Sequence, residues 1–408
     1  MRKILPERSK DASGANQAII AGWPKLLWDM ANKPVIPNML LLPIFLTLTP
    51  VACFAHEAYV LPREFFWKVM RSPPDPRALD ALKKPQDFHI FVTVVAGVSA
   101  FLFLNFLFRQ TSLGKKLHAG IEKLAPAGPV FVRLAIAAAF FISAASGCFL
   151  GTELKLAQLP AGPLVKMLLY ACSISIFFGF LTELAGFLSL AVFVTGFTVF
   201  GGYMMTYFNY LGEIIVLLFF GLRHWSFDAA LFGKLRGWRE RLDIYSTTIV
   251  RVFYGIALMY AAITVKFLHP DLTVKVVKDW HLTQFHWLFP SDPLLVTLGA
   301  ALAEAIIGLF IIIGFELRAT VIISLFYITL SLMYFREIVW PHFMLYGISL
   351  NLIVEPERFT FDHIIFARHR KHWWRHMLGK PVPSGDNASL RKKSQQKQNH
   401  QIYTTVNL

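Results

Sequence analysis

Apolar residues along this chain gather into long blocks that polar segments separate. Nine such runs follow the first 88 residues, at 89–108, 130–151, 163–179, 180–201, 205–222, 250–268, 293–313, 319–335 and 341–354. A helix needs about 20 apolar residues to cross the hydrocarbon core of a bilayer, and tilt and bundle packing accommodate shorter ones. The pattern predicts an all-α, polytopic membrane protein with nine spanning helices.

The composition supports the same fold class. Hydrophobic residues make up 55% of the 408 positions and charged residues only 16%, whereas soluble domains carry about 25% charged residues. This deficit excludes a soluble globular enzyme and a disordered scaffold. The net charge of +15 would indicate a nucleic-acid partner in a soluble chain, but here we expect the lipid bilayer as the partner and no nucleic acid.

Lys and Arg concentrate in three of the polar segments, at 109–128, at 223–249 and from 355 onward. Basic residues favour the cytoplasmic side of a membrane. With nine helices, all three segments are cytoplasmic only if residues 56–88 lie on the other side. We therefore predict a multi-pass protein of the bacterial cytoplasmic (inner) membrane, with a cytoplasmic carboxyl terminus and a short periplasmic segment at 56–88.

The amino-terminal region, residues 1–55, ends in an apolar run at 39–55 that has the features of an export signal. Ala55 and Cys53 are small residues at the two positions that signal peptidase reads before its cleavage site. The run is short for a spanning helix. We expect a signal peptide that is cleaved after Ala55; the alternative is its retention as an extra helix.

Grouping the helices in fours reveals an internal repeat. Arg133 and Arg251 each lead the first helix of a unit, and Gly179 and Gly314 each close the second helix. The units differ mainly in the loop between their first two helices, which is longer in the second unit. We predict two tandem four-helix bundles with one extra transmembrane helix before them.

The predicted organisation then covers the rest of the chain. Its parts are the extra helix with its basic loop (89–128), the first unit with its linker (129–249), the second unit (250–354), a basic amphipathic interfacial helix (355–380) and a disordered tail (381–408).

Several residues of the second unit form a pattern of short motifs. They are Arg251, the run Ala303-Glu304-Ala-Ile-Ile-Gly308, the run Gly314-Phe-Glu-Leu-Arg318, and His342 with Gly347. With these residues the second unit resembles the DoxX-type family of membrane proteins. The first unit resembles it more faintly, because it lacks the intramembrane Glu, the Arg after Gly179 and a His before its fourth helix. The resemblance implies a four-helix membrane module, and relatives are linked to quinone-coupled sulfur oxidation and to redox partnership with, or maturation of, exported proteins.

Ionisable residues inside apolar runs are the candidates for chemistry, because a charge inside a membrane is costly. Glu304 lies near the middle of its run, and His342 opens the last helix. We predict that both are catalytic, with Glu304 as a proton carrier; the alternative for Glu304 is a structural hydrogen bond. Glu213 makes a weaker case in the first unit. We expect Lys266 to extend to the interface rather than to pair with Asp271.

Histidines outside the helices are candidates for a second kind of site. If the export signal is removed after Ala55, His56 becomes the terminal residue, and its amine and imidazole could chelate copper. His281 and His286 share the long loop at 269–292, but a spacing of five residues is not a metal signature. These three are the candidate metal ligands, and scattered interfacial histidines are the alternative.

The sequence supports three hypotheses of function. The first is a redox-associated component, such as a subunit of a quinone-linked oxidoreductase, that works with quinone or with a periplasmic or membrane redox partner through Glu304 and His342. The second is a non-catalytic scaffold or assembly factor that holds a periplasmic protein with residues 56–88 and 269–292. The third is a transporter of metal or small solute between the two units. The sequence alone leaves the cofactor unknown, and quinone is the one candidate.

Overall fold

A computed structural model describes residues 57–220, 228, 245–284, 290–355 and 359–362. The predicted signal peptide, His56, His286, most of the predicted interfacial helix and the predicted tail lie outside these residues. One short antiparallel hairpin is present, with strands β1 (Cys148–Phe149) and β2 (Gly151–Lys155), and the other regular elements of the described part are helical.

The helices follow the predicted apolar runs. The short helices α1 (Glu57–Val60) and α2 (Arg63–Met70) precede a long α3 (Pro85–Gln110) and α4 (Ser112–Glu122). The first unit contains α5 (Gly128–Ser146), α6 (Gly162–Phe178), α7 (Thr182–Phe200) and α8 (Phe208–Phe220). The second contains α9 (Ser246–Ala261, continued by a π-helix over Ala262–Phe267), the short α10 (Pro270–Asp279), α11 (Pro293–Ile313), α12 (Leu317–Tyr334) and α13 (Phe343–Val354).

The predicted all-α membrane fold is confirmed, whereas the number of nine spanning helices stays a prediction. Within the described residues, six helical stretches are long and apolar enough to cross a membrane: Pro85–Gln110, Ser112–Ser146, Thr182–Phe219, Ser246–Phe267, Pro293–Ile313 and Leu317–Tyr334. The protein is therefore an all-α, multi-pass membrane protein. Which end of the helices faces the cytoplasm stays a prediction.

The two four-helix units share one core. Going along the chain, each long helix from α5 to α13 packs against the next long helix, and α13 returns to pack against α5. One continuous cluster of buried apolar side chains runs from Val132 in α5 to Leu352 in α13 and includes residues of both units. The predicted bundles thus meet as two halves of a single closed arrangement.

Two glycines, Gly212 and Gly347, show that the two units are joined by two equivalent helix–helix contacts. A Cβ placed on Gly212 of α8 would lie 2.6 Å from the Cβ of Phe253 in α9. At the corresponding place, Gly347 of α13 approaches Ala135 of α5 so closely that a Cβ would clash. Since Ala135 and Phe253 each lie two residues after the leading Arg of their unit, the fourth helix of each unit packs on the first helix of the other in the same register.

The end of each second helix is built alike in the two units. Gly179 and Gly314 adopt left-handed backbone conformations, with φ of +67° and +69°, where glycine avoids the steric cost of a Cβ. The amide of Phe180 then donates to the carbonyl of Ser175, 2.9 Å away, as the amide of Phe315 does to Phe310 at 3.0 Å. Gly179 and Gly314, which mark the repeat in the sequence, thus cap the second helix of each unit.

One end of the protein is covered by two segments, 57–83 and 270–284, which together we call the cap. Their apolar side chains form one buried cluster with the end of the π-helix, composed of Leu61, Phe66, Val265, Leu272 and Val276. The amide of Asp75 also donates to the carbonyl of Leu268 at 2.8 Å. The segments predicted as two separate loops therefore fold onto each other.

Helix α3 is attached to the second unit mainly by polar contacts near its ends. At the end remote from the cap, Arg109 lies 3.0 Å from Glu316 and 2.6 Å from Asp362. At the cap end, Lys84 pairs with Asp292. The most apolar stretch between them is not buried by the protein, as expected for a helix whose sides face lipid.

Candidate functional site

A cavity of about 460 Å³ lies in the second unit between α9, α10, α11 and α12. Most of its wall is apolar and includes Val276, Leu282, Val296, Ile307, Ile328 and Phe335. Charged and titratable side chains gather along the remainder, namely Glu57, Lys266, Glu304, Glu337 and His342. The cavity thus brings the two predicted catalytic residues, Glu304 and His342, to one site, although their catalytic role stays a prediction.

Lys266 lies between two carboxylates. Its Nζ is 2.9 Å from Oε2 of Glu304 and 3.2 Å from Oε2 of Glu57, and the Lys266 side chain is only 13% exposed. The prediction that Lys266 extends to the interface is therefore wrong. The cap covers this end of α9, and two carboxylates within reach replace the water that a free ammonium would need.

The backbone around Lys266 is also unusual. The residue lies in the π-helix that continues α9, where the amide of Leu268 donates to the carbonyl of Ile263 at 2.8 Å. Such wider turns are rare and occur frequently at functional sites, because they change the face on which the following side chains lie. Here the π-turn coincides with a buried ion pair beside a cavity.

Glu57, Lys266 and Glu304 form a group that we call the Lys266 triad. Glu57 comes from α1 and is buried at 5% exposure, and its Oε1 accepts a hydrogen bond from Thr273 in α10 at 2.8 Å. When all three side chains are ionised, two carboxylates face one ammonium. A buried carboxylate is costly unless it is paired and hydrogen-bonded, so Lys266 holds Glu57 and Glu304 together beside the cavity.

His342 forms a second polar pair at the same cavity. Its Nε2 is 3.0 Å from Oε2 of Glu337, and its Nδ1 is 3.2 Å from the carbonyl of Ile338. Because a carbonyl only accepts, Nδ1 carries a hydrogen and donates it. Nε2 faces the Glu337 carboxylate at ion-pair distance. Ser331 donates to the other Glu337 oxygen at 2.5 Å.

The sequence analysis missed both glutamates that complete these groups. Glu57 directly follows the predicted export segment, and Glu337 lies in the short connection between α12 and the turn Trp340–His342. The signal that could have indicated them is an acidic residue next to a membrane segment, close to a candidate His or Lys. Neither helical spacing nor the family resemblance places them beside Glu304 or His342.

A second buried polar cluster lies next to the first. The hydroxyl of Tyr207 donates to Oε1 of Glu153 at 2.5 Å, and the hydroxyl of Tyr203 donates to the same oxygen at 3.0 Å. The hydroxyls of Tyr59 and Tyr207 are 2.9 Å apart, and the Tyr59 ring meets His342 edge to face at 5.9 Å between centroids. Tyr59 therefore connects the hairpin of the first unit with the His342 pair.

The remaining candidates lie apart from the cavity. His281 is exposed, with a φ of +52°, just after α10, while His56 and His286 lie outside the described residues. Across the residues that the structure describes, no group of three or more His, Cys, Asp or Glu is arranged to hold a metal ion. The metal site stays a prediction. Glu213 is buried in α8 and does not line this cavity.

Comparisons with known protein families, with curated proteins and with solved structures give no match for this chain.

Proposed function

We propose that this protein binds a lipophilic, quinone-like molecule in the cavity of the second unit and exchanges protons with it as a redox-associated membrane component. The observation behind the proposal is the composition of the cavity wall, which is apolar over most of its area and charged along one side. Sites for organic ligands have this composition and a volume of about 300–1,000 Å³.

The position of the cavity suits a ligand that arrives through the bilayer. Tyr327 and Leu330 of α12 line the cavity, and they are 54% and 42% exposed. The helix α12 is one of the candidate spanning helices, so an opening beside these residues would let a ligand dissolved in the membrane reach the cavity without crossing water.

The residues present fit the two parts of a quinone. The apolar wall formed by α10, α11 and α12 would hold the ring and the start of the tail. Lys266 has three N–H groups and two carboxylate partners, so it would donate a hydrogen bond to a carbonyl oxygen. A bound quinone supplies reversible two-electron, two-proton chemistry, with the electrons exchanged with a redox partner. In this proposal, Glu304 and the His342–Glu337 pair hold and release the protons.

The resemblance of the second unit to the DoxX-type family supports the same proposal, because relatives are linked to quinone-coupled reactions. The scaffold hypothesis receives less support. It assigns partner binding to residues 56–88 and 269–292, and much of their apolar surface is used within the cap. We therefore prefer a ligand-binding role to a purely structural one.

Binding of decylubiquinone to the purified protein in lipid nanodiscs tests the proposal. Ala300→Trp places a large side chain on the cavity wall, whereas Met333→Trp adds the same side chain at a position of α12 that is 75% exposed. We expect Ala300→Trp to weaken binding by about tenfold or more, which corresponds to roughly 1.4 kcal/mol, and Met333→Trp to leave it within about twofold. Equal affinity in both variants would overturn the proposal.

A further inference from the structure

The second polar cluster forms a directed chain of hydrogen bonds. A carboxylate only accepts, so the hydroxyl hydrogen of Tyr207 points to Glu153, at 2.5 Å. The Tyr207 oxygen is then free to accept, and the Tyr59 hydroxyl, at 2.9 Å, donates to it. With Glu153 ionised, the chain therefore points from Tyr59, beside His342, toward Glu153.

A small cavity of about 60 Å³ lies at the start of this chain. It is lined by Tyr59, Tyr207, Tyr210, Glu57, Glu304 and His342 among others, so it touches the tyrosine chain, the Lys266 triad and His342. A water molecule needs about 10–15 Å³ of such space and two or more polar partners. The small cavity therefore has the room and the lining for a few water molecules.

The hydroxyl of Tyr210 supplies independent support for water at this place. Tyr210 is buried at 1% exposure, and no protein group in the described part of the chain forms a hydrogen bond with its hydroxyl. A buried hydroxyl without a partner costs about 1–3 kcal/mol. Water in the small cavity, which Tyr210 lines, would satisfy it.

The internal repeat places Tyr207 of the first unit and His342 of the second unit at matching positions. Tyr207 precedes Gly212 by the same number of residues as His342 precedes Gly347, and the two glycines make the equivalent contacts between the units. Each residue also has its own glutamate, Glu153 for Tyr207 and Glu337 for His342. Tyr59 contacts both Tyr207 and His342.

We propose that the Tyr59–Tyr207–Glu153 chain is a proton relay that carries protons from the large cavity of the second unit, through water in the small cavity, to Glu153 of the first unit. This deepens the proposed function by naming the proton path of the same site. Glu153 lies on β2 and is buried at 2% exposure. The relay thus ends at a buried carboxylate of the hairpin.

Each transfer conserves protons. A water molecule protonated by Glu304 or by the His342–Glu337 pair gives a hydrogen to the Tyr59 oxygen, Tyr59 gives its own to Tyr207, and Tyr207 gives its own to Glu153. Each tyrosine breaks one O–H bond and forms another, so both remain neutral, and the proton lost in the second unit appears on Glu153. No electron moves in these steps.

Within the described residues, several charged and titratable groups lie around Glu304, His342 and Glu153. Lys266 and Glu57 lie beside Glu304, with Tyr254 nearby, and Glu337 and Tyr59 contact His342. Tyr203 and Tyr207 contact Glu153. Removing the Tyr207 hydroxyl breaks the chain without changing any of these charges.

Time-resolved infrared spectroscopy of the ligand-free protein after a rapid pH change tests the relay without any quinone. The band that disappears in Glu304→Gln reports protonation of Glu304. We expect Tyr207→Phe to slow its change by about tenfold or more, equivalent to about 1.4 kcal/mol in the barrier, with an unchanged pH midpoint. Tyr254→Phe is the matched control, because Tyr254 is also buried but its hydroxyl contacts Ser324 and Ser349 instead.

Slowing in Tyr207→Phe with a normal rate in Tyr254→Phe supports the relay, and Glu153→Gln should then show the same slow phase. Equal rates in the two tyrosine variants would overturn it, as would the absence of any titrating band assignable to Glu304. Because decylubiquinone binding is measured separately, a protein that binds quinone can still fail this test, and one that does not can still pass it.

Discussion

The two units place equivalent helices around one core, but they fill the space at their cap ends in opposite ways. In the first unit the hairpin at 148–155 buries Phe149, Leu150 and Leu154, and the Phe149 ring lies against Gly196 of α7. In the second unit, Ser331 follows Gly314 by the same number of residues as Gly196 follows Gly179, and it lines the open cavity.

The positions of the candidate catalytic residues also differ between the two units. Counting back from the capping glycines, Glu304 of the second unit corresponds to Leu169 of the first, which is fully buried in the core. His342 corresponds to Tyr207. The comparison teaches that one helical frame supports either a packed core or a polar cavity, depending on the connecting segments and a few side chains. This is the pattern expected when function is added to a fold rather than dictated by it.

The largest expected effect comes from removing the central charge of the second unit. Lys266→Met removes the ammonium that Glu57 and Glu304 share, and breaking a buried ion pair typically costs about 3–5 kcal/mol. We expect a large loss of thermal stability in detergent or nanodiscs. The triple variant that also carries Glu57→Gln and Glu304→Gln should recover much of it; no recovery would show that the triad is not an electrostatic unit.

Creating a cavity in the first unit should reduce the free energy of unfolding by a somewhat smaller amount. Phe149→Ala removes the ring that fills the space against Gly196, and a buried Phe→Ala change costs about 3 kcal/mol or more. Phe141→Ala is the control, because Phe141 is 49% exposed. Chemical denaturation of both variants measures the difference. Similar losses in the two would contradict the view that the hairpin fills the first unit.

The equivalent helix–helix contacts between the units can be tested by placing a larger side chain in one of them. Gly347→Leu inserts a side chain between α13 and α5, where even a Cβ would clash with Ala135, and such overpacking costs about 1–3 kcal/mol. Gly97→Leu in α3 is the control, because no atom lies within 4 Å of a Cβ built there. Thermal unfolding should show a loss for Gly347→Leu and none for Gly97→Leu; equal behaviour would argue against the proposed register.

The smallest effect concerns pH and the start of α11. Burial alone would raise the pKa of Asp292, but hydrogen bonds from Lys84 and from the amide of Leu294 outweigh it, and the pKa is lowered. A lowered pKa stabilises the folded protein at pH values above the usual aspartate value of about 3.9, and this stabilisation is lost as the pH falls through the lowered pKa.

Hydrogen exchange in the first turn of α11 measures this effect. Protection should decrease as the pH falls below about 4, after correction for the intrinsic pH dependence of exchange, and Asp292→Asn should remove the change. The reverse trend, with more protection at acidic pH, would show that the Lys84–Asp292 pair does not hold this end of the helix.

The helices and the repeat could be predicted from the sequence because their signals are local. A run of apolar residues is enough to predict a spanning helix, and Arg133, Arg251, Gly179 and Gly314 mark equivalent turns of two units. Glu304 could be identified because a carboxylate is conspicuous inside an apolar run.

The partners of the site residues could not be predicted, because they come from distant parts of the chain. Glu57 and Lys266 are separated by 209 residues, and Tyr59 and Tyr207 by 148. The expectation for Lys266 failed for this reason: a lysine near a helix end normally reaches water, and nothing near it in sequence indicates that Glu57 and the cap cover that end. The shared core of the two units likewise depends on α13 returning to α5.

Photolabelling with an azido-ubiquinone in lipid nanodiscs tests most directly the claim that the second unit, and not the first, holds a lipophilic ligand. The labelled peptides are identified by mass spectrometry. The account predicts label on Pro293–Ile313 and Leu317–Tyr334, reduced by excess decylubiquinone and lost in Ala300→Trp. Label on Gly162–Phe178 or Thr182–Phe200 instead, or label that Ala300→Trp leaves unchanged, would contradict it.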